Sequence, residues 1–291
     1  MPASASFPVS APSGAPLALL QLRDETFDPA HAAAYNLYLL AGTARLYLAV
    51  ADVERNKFVA LEEYQLGTDG VPALAAQHDF LALRGWNAVR LAITGRAFTL
   101  LPQPLFRPGD EATALRLHHT PSATEITRHT THPGLELVNV FAVSAPLANW
   151  LGATYGSGGR LLHHTSALLA GLVNQRGASG LRRLYLNPGQ QELTLVVLGS
   201  TLEYCNVFPC STAEDVVYYT ILVMQELALD PDQDEVTVWG DLTPDSAMFA
   251  LLRTYVRNVH FGHRPANVQY SYRLNDVFEY RYFDLLSLHF A

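Results

Sequence analysis

Histidines are the residues best suited to chemistry in this sequence, and most of them come in close pairs. The pairs are His118 with His119, His129 with His132, His163 with His164, and His260 with His263. Such a pair can ligate zinc only where a third ligand and an open coordination position converge with it. No H-E-x-x-H motif and no cysteine cluster accompanies the pairs, and RHTTHPG (128–134) is a polar loop or edge where solvated histidines are ordinary. The sequence therefore favours structural roles for the histidines and predicts no metal.

Hydroxyl and carboxyl groups offer weaker candidates for catalysis. Ser144 lies in AVSAP, without the G-x-S-x-G motif of a nucleophile elbow, and a serine before Ala-Pro is typical of a helix cap. Glu214 and Asp215 fall in the first turn of a predicted helix, where the helix dipole favours acids. Asp241, at a predicted strand end, is the acid whose position best suits a site, although such acids more often lead into a helix. These groups predict no catalytic residue.

An internal repeat defines the elements that position these residues. LYLLAGTARLYLAV (37–50) aligns without gaps to LYLNPGQQELTLVV (184–197), with seven of fourteen positions identical. Both copies alternate like a pair of strands, and Gly42 and Gly189 fall where a hairpin is expected to need a residue without Cβ. The two segments are therefore predicted to be equivalent hairpins.

The elements that follow each copy are similar in kind. After the first copy, the pattern predicts a strand, a helix and a strand at residues 57–66, 71–83 and 88–94. After the second, it predicts the same order at 201–208, 212–229 and 235–239, then a helix at 243–258 and a last strand at 279–290. Between the copies, it predicts a buried strand at 135–144, a helix at 145–156, and a strand running into a helix at 159–175. Two β-β-β-α-β-α units in tandem predict a two-lobed α/β protein with mixed sheets.

The helix at 212–229 carries signals of its own. Ser211-Thr212-Ala213-Glu214 has the pattern of a capping box, with Ser211 bonded to an orphan N–H and Glu214 reaching back. The body of the helix, DVVYYTILVMQEL, is apolar nearly all round. This pattern predicts a helix that lies between a sheet and another layer.

Composition excludes several classes of protein. With 49% hydrophobic and 16% charged residues, the chain is expected to be globular, and its net charge of −8 makes nucleic acid and anionic membranes poor partners. Cys205 and Cys210 should point to opposite faces of one strand, as free thiols of a reducing compartment. The longest apolar run, 216–224, is too short for a bilayer, and MPASASFPVSAPSGAP lacks the apolar core of a signal peptide. We therefore expect a cytoplasmic protein with a disordered tail at residues 1–15 and lobes at 16–180 and 181–291.

The element order and the two turn glycines resemble the duplicated ribonuclease-H-like fold of the actin, sugar-kinase and heat-shock chaperone superfamily. Residues 137–175 are similar to the lead-in of the type IV pilus assembly actin-like protein and of the cell-division actin homologue. NVFPCSTAEDVVYYTILVMQELALDP, YVRNVHF and YRYFDLL resemble an uncharacterised bacterial family, a domain of unknown function whose known structure is described as an actin-like ATPase fold. This resemblance covers most of residues 16–291 and implies that fold.

The resemblance also implies where a nucleotide would bind. In the ATPases of that superfamily, the first hairpin of each lobe carries Asp-x-Gly, whose amides cradle phosphate and whose acid positions metal and water. Here Leu40 and Asn187 stand two residues before the turn glycines, and neither can offset a divalent cation. Leu193 stands where a hydroxyl is usual, and Gly240 matches half of a double glycine that lies against adenosine. A vestigial nucleotide cleft is therefore implied, formed by Gly42, Thr43, Asn187, Gly189, Gly240 and Asp241.

Three hypotheses for function remain open. The first is a non-catalytic protein of this fold that acts as a scaffold or regulator of an unknown protein partner, without a cofactor. The second is an ATPase or kinase-like protein with a non-standard site, which binds ATP and magnesium and recruits acids such as Asp241 or Asp52. The third is a metal-dependent hydrolase that uses the histidines.

Overall fold

The computed structural model describes residues 16–176 and 180–291, and the predicted tail at residues 1–15 lies outside the described residues. Two compact units share the described chain. The first lobe comprises residues 16–174, 265–277 and 284–291, and the second comprises 175–176, 180–264 and 278–283. The predicted lobe boundaries, 16–180 and 181–291, follow the repeat and stay a prediction, because the compact units also divide the C-terminal residues between them.

Between residue 16 and Gln175, the described chain holds nine strands and four α-helices. The strands are β1 (Leu17–Arg23), β2 (Tyr35–Ala41), β3 (Arg45–Asp52), β4 (Lys57–Gln65), β5 (Ala88–Ile93), β6 (Phe98–Pro102), β7 (Glu125–His132), β8 (Leu137–Ser144) and β9 (Gly159–His163). The helices are α1 (Gly70–Gln77), α2 (Glu111–Leu115), α3 (Ala145–Tyr155) and α4 (His164–Gln175), with 3-10 turns at Pro29–Ala34, Gln103–Leu105, Pro133–Leu135 and Gly156–Gly158.

The second part of the chain repeats this order in a shorter form. Its strands are β10 (Arg183–Pro188), β11 (Glu192–Leu198), β12 (Leu202–Pro209), β13 (Val236–Val238) and β14 (Val259–Phe261), and its helices are α5 (Ala213–Glu226) and α6 (Ala247–Tyr255). The chain ends with β15 (Gln269–Tyr270), a 3-10 turn (Tyr272–Asp276), α7 (Phe283–Ser287) and a last 3-10 turn (Leu288–Phe290).

The main sheets of the two lobes have the same core order. In the first lobe the strands run β1-β4-β3-β2-β5-β9, with β15 added beside β4, and in the second they run β12-β11-β10-β13-β14. In each lobe the first three repeat strands form an antiparallel meander, and the remaining two lie parallel to the first strand. The predicted equivalence of the hairpins at 37–50 and 184–197 is therefore confirmed.

Each sheet is covered by helices that close an apolar core. In the first lobe, Leu37 and Leu39 of β2 pack with Leu74 of α1 and with Leu151 of α3. In the second lobe, strand residues of β10 and β11 pack with Val216 of α5 and with other residues of α5 and α6. The central strands are buried on both faces, which explains why they lack polar alternation.

A three-stranded sheet inserted between β5 and α3 is the largest departure from the predicted order. Its strands run β6-β8-β7, and α2 covers one face through Leu115 against Val138 and Val140. The sequence interpretation assigned only the strand at 135–144. The other two strands escaped it because β6 has only five residues and the outer strand β7 reads EITRHTTH, which is polar on both faces.

Three local predictions are wrong. Residues 279–290 form α7 and a 3-10 turn instead of a strand, since short apolar runs such as LLSL suit either structure. The capping box is one residue later than predicted: Thr212 accepts from the N–H of Asp215, and the Asp215 carboxylate accepts from the N–H of Thr212. Helix α5 is apolar all round but buried on one side only, with Tyr218 62% exposed.

Candidate functional site

Ligands of open α/β sheets bind beyond the carboxyl ends of the parallel strands, so these ends are where a site is expected in each lobe. In the first lobe, Gly42 and Thr43 directly follow β2. In the second lobe, Asn187 lies at the end of β10, with Gly189 directly after the strand, and Gly240 and Asp241 come shortly after β13. The structure thus places every residue of the predicted vestigial site at a strand end, within its own lobe.

The turns after β2 and β10, where the resemblance implies that phosphate would bind, are closed by the same type of hydrogen bond, and we call them the phosphate turns. Gly42 donates its N–H to the carbonyl of Arg45 at 2.9 Å, and Gly189 donates its N–H to that of Glu192 at 2.7 Å. Neither glycine has a left-handed φ, and a Cβ at either would make ordinary contacts at 3.5 Å. The expectation that these turns need a residue without Cβ is therefore wrong. The two turns share this closing hydrogen bond. It uses the backbone N–H of Gly42 in the first turn and that of Gly189 in the second.

At the second turn, Asn187 and Gly240, two residues of the predicted site, pack closely together. Asn187 and Pro188 are part of β10, opposite Thr194 and Leu193 of β11. Pro188 has no N–H, so this turn lacks one of the amide donors that a phosphate loop uses. Gly240 lies against it with φ +103°, where a Cβ would stand 2.3 Å from the Pro188 carbonyl oxygen. Only glycine fits this position.

Gly240 and Asp241 are also held by a later part of the second lobe. Gly240 donates its N–H to the carbonyl of Tyr280 at 3.0 Å, and Asp241 forms an ion pair with Arg281 at 3.1 Å. The structure therefore brings Asn187, Gly240 and Asp241 together, as a set of mutually packed residues.

Trp239 is a residue of this strand end that the sequence interpretation missed. Its indole is 2% exposed and stacks on Phe283 and Tyr185, with ring centroids 4.2 and 5.4 Å away. Its Nε1 donates to the carbonyl of His263 at 3.0 Å. The indole also lies over Gly262, where a Cβ would stand 2.1 Å from the ring. The indole of Trp239 thus occupies the space at the carboxyl ends of β13 and β14.

At the first turn, Leu40 holds the position where the resemblance would place an aspartate. Leu40 is buried in the strand, and Thr43 is exposed at the tip of the turn. Arg45, which accepts the closing bond through its carbonyl, pairs through its guanidinium with Glu63 at 2.5 Å. The nearby carboxylate is therefore neutralised by an arginine.

The carboxyl ends of β5 and β9 carry a buried histidine pair. The Nε2 of His163 lies 3.0 Å from the carbonyl oxygen of Gly95, and its Nδ1 lies 2.7 Å from the hydroxyl of Thr165. The Nδ1 of His164 lies 3.3 Å from the carbonyl oxygen of Ile93. Because a carbonyl only accepts, one ring nitrogen of each histidine must carry its proton toward a backbone oxygen. Burial lowers the pKa of His163, and it lowers that of His164 to about 4, so both rings are neutral.

The same network joins the inserted sheet to α4. Asn139 of β8 donates its side-chain N–H to Thr165 and Ser166, and His132 of β7 lies 3.0 Å from the Ser166 hydroxyl. Burial first, and then the charge of Arg160, lower the pKa of His132 to about 4. Since Ser166 is fully buried, this serine–histidine contact positions the insert and offers no accessible nucleophile.

In each of the remaining histidine pairs, one exposed or half-exposed ring lies within hydrogen-bond distance of a glutamate. His119 pairs with Glu125, His129 with Glu111, and His263 with Glu279, at 3.2, 2.8 and 3.0 Å. Within residues 16–176 and 180–291, no group of three or more His, Cys, Asp or Glu side chains is placed to hold a metal ion.

Both cysteines are free thiols. Burial raises the pKa of Cys205 to about 12 and that of Cys210 to about 11, so neither is an activated nucleophile at neutral pH.

Two solved structures are similar to this chain. A Bacteroides thetaiotaomicron protein with actin-like ATPase fold and unknown function is 18% identical, with 90% of this chain and 98% of that one covered, at a TM-score of 0.76. The PilM-PilN type IV pilus biogenesis complex is 15% identical, with 87% of this chain and 97% of that one covered, at a TM-score of 0.59. These similarities establish the predicted two-lobed actin-like ATPase fold.

No curated protein matches the sequence. Among the helices of the described residues, none combines the length and apolar character needed to cross a membrane. The family model described as "Protein of unknown function (DUF3822)" matches residues 24–259. The chain therefore belongs to this family, as the resemblance in its sequence implied.

Proposed function

We propose that this protein works by binding another protein, as a non-catalytic member of the actin-like fold. The observation that carries the proposal is the state of the two phosphate turns. Their acid positions hold Leu40 and Asn187, and the amides of Gly42 and Gly189 are engaged in closing the turns. Phosphoryl transfer depends almost wholly on positioned metal, water and donors, and these turns supply few of them.

The acids that a non-standard site would recruit also favour this proposal. Asp241 is paired with Arg281, so its charge is already offset. Asp52 ends β3, seven residues from Arg45 at the phosphate turn, which corresponds to roughly 23 Å along a strand. Its carboxylate accepts the N–H of Arg55 at 2.9 Å. Asp52 therefore serves a turn at the opposite end of the sheet.

A protein partner is the expected ligand. The net charge of −8 disfavours nucleic acid and gives no attraction to a nucleotide. The PilM-PilN structure, which has the same fold, is a complex between proteins. A cytoplasmic location, inferred from the composition and the free thiols, belongs to the same proposal.

Phosphate release by the purified chain tests the absence of ATP turnover. We expect no release above background with ATP and magnesium from the wild type, from Asn187→Asp, or from Asn187→Asp combined with Leu40→Asp. Because Leu40 is buried, the single Asn187 variant is the informative one if the double variant unfolds. Turnover by the wild type that Asn187→Ala abolishes would overturn the proposal and favour the ATPase hypothesis.

A further inference from the structure

The first described strand, β1, forms one edge of the main sheet of the first lobe. Among the described strands it pairs only with β4, in a register that runs from Leu17 opposite Gln65 to Arg23 opposite Ala60 and shifts between Ala18 and Leu20. Leu17 and Leu19 on this strand are 58% and 43% exposed. An exposed edge strand with apolar side chains is a site where another chain can add a strand.

The backbone of β1 has hydrogen-bonding groups directed away from the sheet. Asp24, directly after the strand, donates its N–H to the carbonyl of Val59 at 2.7 Å. Bonded and non-bonded residues alternate along an antiparallel pair, so Leu22 bonds to β4, and the N–H and C=O of Gln21 and Arg23 point outward. None of the backbone hydrogen bonds between described elements engages these outward groups. These outward groups can pair with the backbone of another extended chain.

A groove of about 720 Å³ follows this edge. Its wall on the helix side consists of Leu74 and Gln77 of α1, followed by His78 and Asp79, and its outer side carries Arg273 and Asp276 of the 3-10 turn. Gln21 and Arg23 of β1 line it as well. The groove therefore lies next to the edge where a strand would be added.

The floor of the groove is a buried hydrogen-bond network that holds its shape. Fully buried Glu62 accepts from Arg23 at 2.5 Å, from the Tyr64 hydroxyl at 2.6 Å, and from His78 Nε2 at 3.0 Å. His78 Nδ1 lies 3.3 Å from the N–H groups of Phe80 and Leu81 and 3.1 Å from the Asp79 carboxylate. Gln21 donates to Tyr64 at 2.6 Å. A preformed floor of this kind lowers the entropic cost of binding.

The charges along the groove favour a basic ligand. Arg23 is held by Glu62 and Asp79, and Arg273 is held by Glu25. Asp79 and Asp276 are the carboxylates that line the groove beside Arg23 and Arg273, and Asp276 is exposed. The exposed carboxylate of Asp276 is complementary to a lysine or arginine side chain on the bound segment.

We propose that β1 and this groove bind an extended segment of a partner protein by strand addition. The segment carries apolar residues that lie beside Leu17 and Leu19 and a basic residue that lies near Asp276. This inference rests on the proposed role in protein binding and specifies the surface and the chemistry of the partner. ATPase activity would overturn the proposed non-catalytic role but would say nothing about binding at the groove. Failure of the experiment below would overturn binding at the groove but would say nothing about the phosphate turns.

The probe is a phage-displayed library of random 12-residue peptides, selected on the full chain. We expect enriched peptides with alternating apolar residues and a lysine or arginine. Gln21→Pro removes the outward N–H while leaving the bonds to β4 intact, and proline is tolerated at such edge positions. We expect this variant to weaken peptide binding more than about tenfold, and Gln21→Ala, which removes only the side chain, to weaken it less. We expect Asp276→Lys to weaken binding as well. The matched control is Glu54→Lys, which reverses the charge of an exposed acid in the β3–β4 turn of the same lobe and should leave binding unchanged.

Hydrogen exchange of the wild type provides a second readout if Gln21→Pro fails to fold. Bound peptide should slow exchange at the amides of Gln21 and Arg23. The proposal is overturned if no peptide is enriched over an unrelated control protein, if the enriched peptides are not basic, or if they protect other amides. It is also overturned if the chain forms a dimer that Gln21→Pro dissociates, because β1 would then pair with a second copy.

Discussion

Gly240 and Gly189 both lie at strand ends of the second lobe, but the structure gives them different constraints. Gly240 has φ +103° and no room for a Cβ beside Pro188, whereas Gly189 has no left-handed φ and a Cβ there would make an ordinary contact at 3.5 Å. We expect Gly240→Ala to lower the free energy of unfolding by more than about 2 kcal/mol, and Gly189→Ala by less than about 1 kcal/mol. Urea unfolding followed by tryptophan fluorescence measures both. Equal effects would mean that the packing at Gly240 is not as described.

The buried histidines make stability depend on pH in a defined window. His132 and His164 have folded pKa values of about 4, below the ordinary 6.5. Below pH 6.5 the unfolded chain binds protons that the folded chain does not, so the free energy of unfolding falls as the pH falls toward 4. Each histidine contributes a slope of up to about 1.4 kcal/mol per pH unit.

Denaturant titrations between pH 7 and pH 4.5 measure this slope, above the range where carboxylates dominate. His132→Gln keeps a hydrogen-bonding group beside Ser166 but cannot titrate, so it should remove the contribution of one histidine. A slope unchanged in this variant would show that His132 is already accessible to protons in the folded protein.

Helix α5 tests the capping assignment at the scale of one element. The Thr212 hydroxyl accepts the N–H of Asp215, while Ser211 lies one residue outside the helix cap. Loss of a capping side chain typically costs about 1 kcal/mol. We therefore expect Thr212→Ala to lower the free energy of unfolding by about that amount and Ser211→Ala to change it little. A larger loss of stability in Ser211→Ala than in Thr212→Ala would support the capping box at Ser211 that the sequence pattern predicted.

Nucleotide binding would stabilise the whole molecule, so the melting temperature measures it independently of ATP hydrolysis. A ligand present at 100 times its dissociation constant adds about 2.7 kcal/mol of stability. Both phosphate turns lack the acid, and the N–H groups of Gly42 and Gly189 are bonded within the turns. We therefore expect the same melting temperature with ATP and magnesium as with magnesium alone. A rise that depends on ATP would instead favour a nucleotide-binding protein with a non-standard site.

The sequence by itself determined the repeated β-β-β-α-β-α order and the two equivalent hairpins. These features depend on the local alternation of side chains and on the identity of a few turn residues, which short segments such as 37–50 already contain. The resemblance of its motifs identified the family and the fold. The acids missing from both phosphate turns could also be named from the sequence, once that resemblance had placed Leu40 and Asn187.

Only the tertiary structure decided the features that depend on contacts between distant residues. The packing of Gly240 on Pro188, the indole of Trp239 over Gly262, and the groove network joining Arg23 to Glu62 each link positions far apart in the chain. The inserted sheet also escaped the sequence pattern, because its outer strand is polar and gains its partner only through β8. Local periodicity carries no information about which distant side chains meet, so these contacts became visible only in the folded chain.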